Sequence, residues 1–200
     1  AEAAPDDLQV DPGDGRPQKG QGELGAALAE GEGAMAHQWS LAAVRNRWRS
    51  SGALTINSSD TNSKLNAALT GSGGLIVGGA STLTLPSGIT QPFSGPVLVH
   101  NGNRLVLNTA IAPSSVVVED NATLSGNGTI NSNVIANSGG STSPGNSPGK
   151  LTVNGNYTFA PGSTYNVEVQ GNVAGSGYDQ IEITGANRVV TLTDAFLNIS

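Results

Sequence analysis

From Ser51 onward the chain repeats one short device: two apolar residues separated by a single residue, then a run of Gly, Asn, Ser, Thr or Pro. Leu54-Ile56, Leu75-Val77, Leu83-Leu85, Val97-Val99, Leu105-Leu107 and Val116-Val118 are instances. Leu151-Val153, Tyr157-Phe159, Val167-Val169 and Ile181-Ile183 continue the series. Residues i and i+2 of a strand share a face, so each unit sends two side chains inward and the middle one outward. The intervening Gly and Asn supply positive φ, and Pro, Ser and Thr supply turns. Only "SKLNAAL", residues 63–69, has helical texture.

Strands this short, recurring roughly every 8–10 residues, leave a sandwich, a closed barrel or a solenoid. A sandwich typically has tight hairpins and a few bulky core aromatics. Here aromatics make up 4% of the chain, so the core must use Val, Leu, Ile and Ala in thin layers. Outward positions are dominated by Thr, Asn and Ser. In a solenoid each coil stacks on the next at about 4.8 Å, so equivalent positions form ladders. Neutral Asn, Thr and Ser stack well there, whereas like charges repel. Residues 51–200 carry 11 charges, against 13 in the first fifty, and a solenoid gives that contrast a cause. The expected fold is an all-β, parallel β-helix over 51–200.

The first fifty residues read as a separate, charged, low-complexity segment. Residues 1–33 are rich in Gly, Pro, Asp, Glu and Gln, the composition of an unordered chain. In "HQWSLAAVRNRWRS", residues 37–50, Trp39, Leu41, Val44 and Trp48 fall near helical spacing, with Arg45, Arg47 and Arg49 clustered at the end. A membrane-surface or partner-binding helix is one reading. The favoured one is a short helix capping the open end of the solenoid.

Other classes are excluded more simply. There are no cysteines, hence no disulfides or thiolate metal site. A net charge of −6 opposes nucleic-acid binding, which neutralised phosphates drive. No apolar run approaches the ~20 residues that span a bilayer as a helix. No basic segment followed by an apolar core opens the chain, so no signal peptide is read.

Residues 71–107, "GSGGLIVGGASTLTLPSGITQPFSGPVLVHNGNRLVL", resemble the autotransporter-associated β-strand repeat. The matching positions are Gly74-Leu75, Ser81 to Leu85, Ser87-Gly88, Phe93-Ser94-Gly95, Val99 to Gly102 and Leu105 to Leu107. Departures are Pro86 after "LTL", Phe93 in the aromatic place and one extra residue around Gln91-Pro92. A second block resembles the end portion of such passenger domains through Leu124 to Ile130, Ser143 to Tyr157, Gly162 to Val169 and Asp179 to Ala186. The resemblance covers residues 71–200 and none of the first fifty. It implies a right-handed β-helix at a bacterial surface, exported by type V secretion through an outer-membrane translocator barrel in the full-length protein. "LTDAFLNIS" would leave its last coil with an open edge.

"SPGNSPGK", residues 143–150, superficially suggests a phosphate loop. Such a loop needs Gly, four residues, then Gly-Lys-Ser/Thr. Pro144 stands where the first Gly should be and Leu151 where the hydroxyl should be, so a pair of turns is expected, with Lys150 a solvated turn residue.

Catalytic candidates are few. A polysaccharide lyase or hydrolase on this fold needs converging carboxylates. Asp60, Glu119 and Asp120 read as turn residues, Asp179 as the start of a strand, and Asp194 as a lone acid. Glu168 and Glu182 lie between inward residues, so they point outward, as a candidate pair on neighbouring rungs or as a hydrated face. His37 and an outward His100 lack partners at metal-ligand spacing. No catalytic, cofactor or metal residue is assigned, and no cofactor is expected.

The expected function is a non-catalytic passenger or adhesin stalk, with host or neighbouring-cell surface protein or glycan as partners. A polysaccharide-acting enzyme and a repeat from another secreted cell-wall array are the alternatives. The densest strand sequence, with Leu151, Val153, Tyr157, Phe159, Tyr165, Val167 and Val169 available to one interior, is expected to be the most stable part.

Overall fold

The computed structural model describes residues 53–57 and 62–200. They form a three-faced β-solenoid, with no helix among the described residues. The first face stacks β1 (Leu54–Asn57), β3 (Leu75–Gly78), β5 (Val97–Val99), β8 (Val116–Val118), β11 (Val134–Ala136), β14 (Tyr157–Phe159) and β17 (Val190–Leu192), in that order. The second stacks β2 (Ser63–Lys64), β4 (Thr82–Leu85), β6 (Arg104–Leu107), β9 (Thr123–Gly126), β12 (Ser141–Pro144), β15 (Thr164–Val167) and β18 (Phe196–Ile199). The third has four strands: β7 (Ala110–Ile111), β10 (Thr129–Ile130), β13 (Lys150–Val153) and β16 (Gln180–Ile183). The chain visits the faces in turn, so hydrogen-bonded neighbours come from successive coils and pair in parallel.

The period-two alternation becomes columns of like residues inside the coil. Leu75, Val97, Val116 and Val134 stack in register on the first face, and Val77, Val99, Val118 and Ala136 in the next column. All are at most 1% exposed. Burying one such aliphatic side chain contributes about 1.5–3 kcal/mol, and repetition over several coils builds the core. Polar groups that turn inward at corners are satisfied: the Asn103 carbonyl accepts from Ser81 N at 2.9 Å, and its amide donates to His100 O and Asn101 O.

Several local expectations are corrected. Residues 63–69 contain no helix; Ser63 and Lys64 pair with Leu83 and Thr84, and Leu65 N donates to Thr84 O at 2.9 Å. A segment that short cannot repay helix nucleation, whereas the next coil offers a ready template. The stretch Leu124 to Ile130 is two strands, β9 and β10, bent at Asn127. Gly126 there has φ of +104°, and a Cβ at Gly128 would lie 2.4 Å from Thr109 O, so the corner needs both glycines. Pro144 is buried at the end of β12, opposite Gly126, so only the second Ser-Pro-Gly forms a turn. Val169 lies outside β15 and is 50% exposed, because the chain leaves the coil after Val167. The segment expected over 1–50, its capping helix at 37–50, His37 and Asp60 lie outside the described residues.

Candidate functional site

The corner between the second and third faces is where the coils differ most. Residues 108–109 join β6 to β7, and 127–128 join β9 to β10; residues 145–149 join β12 to β13, and 168–179 join β15 to β16. The connection holds its length over the first two of these coils and lengthens in the next two, and the longest begins at Glu168 and ends at Asp179.

Asp179 anchors this corner. It is 6% exposed, its Oδ1 accepts from Gly149 N at 2.7 Å, and its Oδ2 accepts from Glu168 N at 3.0 Å. One carboxylate thus ties the base of the 168–179 excursion to the turn of the preceding coil. The Val169–Tyr178 bridge closes the excursion's neck. Both Asp179 oxygens accept from backbone donors and the residue is buried, which makes it a clamp between the two loops.

Glu168 and Glu182 belong to one coil, on either side of the excursion, and the neighbouring-rung arrangement is corrected accordingly. The Glu168 carboxylate accepts from the Ser147 hydroxyl and the Gln170 amide. Glu182 accepts from Lys150 Nζ at 2.9 Å and from Thr152 Oγ1 at 3.3 Å. The Lys150 ammonium holds the Glu182 carboxyl below the usual range, by hydrogen bond first and by charge second. Lys150 is accordingly the first residue of β13 and an ion-pair partner, not a solvated turn residue. Each acid is thus held by partners of its own.

At the corner between the first and second faces, His100 Nδ1 lies 2.5 Å from Glu119 Oε2, and no other side chain bonds the imidazole among the described residues. An acid on Nδ1 is how a carboxylate orients a catalytic histidine, but no serine hydroxyl joins this pair. Asp120 accepts from Asn121 Nδ2 at 2.9 Å, and Asp194 sits exposed in the last coil. Among the described residues, no three His, Cys, Asp or Glu side chains converge on a metal-sized space.

Sequence reasoning missed the Asp179 clamp and the Lys150–Glu182 pair. The partners lie 30 and 32 residues apart, and their meeting depends on how much chain each coil consumes. The hydroxyl pair of Thr142 and Tyr157, 2.5 Å apart and buried, was hidden for the same reason.

No family model matches the chain. Among curated proteins it is similar to an extracellular serine protease of Serratia marcescens, with 41% identity over 104 residues. The match covers 52% of this chain and 10% of that protein, so the chain spans a small fraction of its relative's length. The expectation that the chain is not an enzyme is overturned here, because the matched relative is named as a protease.

Proposed function

We propose that this chain is the β-solenoid passenger portion of an exported serine protease, displayed at the bacterial surface or released from it. The observation that carries this reading is the 41% identity to an extracellular serine protease, joined to the solenoid fold. In this reading the solenoid is a rigid spacer. Seven tiers at about 4.8 Å each reach about 30 Å from first to last. Each coil contacts only its neighbours, so the fold is compatible with coil-by-coil assembly as the chain emerges through a translocator barrel. The outer column Thr82, Arg104, Thr123, Ser141 and Thr164 offers hydroxyls and one guanidinium to protein or glycan on neighbouring cells, which supports a contact role for the same stalk.

The test uses the exported gene product from its own cells. The expected result is labelling by a fluorophosphonate probe and cleavage of casein, both abolished by a sulfonyl fluoride. An exported product that takes no label and cleaves nothing overturns the protease reading. Deletion of residues 53–200 is expected to reduce the amount of active enzyme outside the cell.

A further inference from the structure

The outward positions of the first face form a single column: Thr55, Ile76, Leu98, Val117, Ile135 and Thr158 lie in register from coil to coil. Four consecutive tiers are aliphatic. Their chain neighbours Val97, Val99, Val116, Val118 and Val134 are fully buried, so the four point away from the core. The comparable columns elsewhere are largely polar, with Thr82, Arg104 and Thr123 on the second face and Thr129, Thr152 and Glu182 on the third. Threonine occupies the same column at 55, 158 and 191, so the fold itself does not require aliphatic residues there. The result is an apolar stripe about 14 Å long on the outer wall. Glu119, two residues after Val117, and the exposed Asp120 lie along one edge.

We propose that this stripe is the docking surface for the chain's own segment 39–48, which brings Trp39, Leu41, Val44 and Trp48. Connectivity favours this occupant. β1 is the edge strand of the same face, one tier from Ile76, and Leu54 follows Trp48 by only six steps of the chain. At about 3.3–3.6 Å per residue that linker reaches about 20 Å, longer than the stripe. Charge favours it too: Arg45, Arg47 and Arg49 alternate with and follow Val44 and Trp48, and Glu119 and Asp120 lie along one edge of the stripe. Docking here covers the side wall of the solenoid rather than its open end.

The chain's two tryptophans are both in this segment, so intrinsic tryptophan emission of the full chain reports on it alone. The expected result is blue-shifted emission, shielded from acrylamide and independent of protein concentration. Leu98→Thr with Val117→Thr is expected to red-shift the emission and remove the shielding while the far-ultraviolet β signal persists. Should that pair lose the β signal, Val117→Thr alone carries the test, with a partial red shift expected. Fully solvated emission in the unaltered chain overturns the proposal. So does a blue shift indifferent to the threonine substitutions, which places the segment elsewhere, or one that appears only as the protein dimerises, which puts a second copy on the stripe.

Discussion

The coils from β3 to β6 and those from β12 to β16 close the same triangle with different interiors. In the first, Leu75, Val77, Leu83, Leu85, Val97, Val99, Leu105 and Leu107 use only Leu and Val, and Phe93 is the one buried aromatic. In the second, Tyr157 and Phe159 stack with centroids 4.5 Å apart, and Tyr165 tilts against Phe159 at 5.8 Å. Like residues fill successive tiers evenly in the aliphatic coils. The aromatic coil needs small partners instead: Ala136 stands in register with Phe159, and Thr142 with Tyr165. Interiors pack to near-crystalline density, so a large ring in one tier demands space from the next.

The largest effect should come from a charge placed in each interior. Tyr157 and Val77 are both 0% exposed, and an unpaired carboxylate at either site has no compensating partner. Tyr157→Asp is expected to abolish the β signal by circular dichroism, because Val134 of the coil below and Val190 of the coil above stand in register with that residue. Val77→Asp is expected to release only β1 to β4, read as fast hydrogen exchange confined to those strands. Equal loss in both variants would break the contrast between the regions.

Truncation sharpens it. Phe159→Ala should cost about 3–5 kcal/mol and Leu105→Ala about 2–5 kcal/mol in urea unfolding. The distinguishing outcome is repair: Ala136→Val on the Phe159→Ala background should recover part of the loss, because it refills the vacated space. The same Ala136→Val in the unaltered chain should destabilise by overpacking, about 1–3 kcal/mol.

Next in size is the buried hydroxyl. Tyr157→Phe removes its bond with Thr142 and should cost about 0.5–1.5 kcal/mol. Burial raises the Tyr157 phenol far above its ordinary value, and burial raises Tyr165 as well. A raised folded-state pKa means the stabilisation is complete below the unfolded value, about pH 10, and falls as pH rises beyond it. Melting temperature should therefore drop above about pH 10, less steeply in Tyr157→Phe, with Tyr165 retaining part of the slope.

The smallest effect belongs to the exposed pair. Glu182→Gln should leave the melting temperature at neutral pH nearly unchanged, since surface ion pairs contribute little. Lys150 depresses the Glu182 pKa, so what the pair contributes is present above the ordinary glutamate range and lost as pH falls through the folded value. Any difference between Glu182→Gln and the unaltered chain should accordingly vanish in acid.

The strands were legible because their signal is local. At Val97-Leu98-Val99, two β-branched residues flank one outward position, and nothing beyond three residues is needed to assign the face. The weaker strands at 110–111, 134–136 and 190–192 carry less of that pattern and form because a neighbouring coil offers its backbone. "SKLNAAL" misled for that reason: its intrinsic preference is weaker than the ladder it joins. At the candidate site, Glu168 and Glu182 were legible as outward acids, but their partners were not.

The sequence by itself determined that the chain is a stack of short strands with few charges, because alternation and turn residues act over two to four positions. It also determined that no phosphate loop stands at residues 143–150, because the required Gly and hydroxyl are missing. Only the tertiary structure decided that Asp179 is buried, that Lys150 meets Glu182, and that Ile76, Leu98, Val117 and Ile135 align into one stripe. Each of those facts depends on how much chain every coil consumes. Corner lengths set that register, and the corner between the second and third faces is short in two coils and longer in the next two.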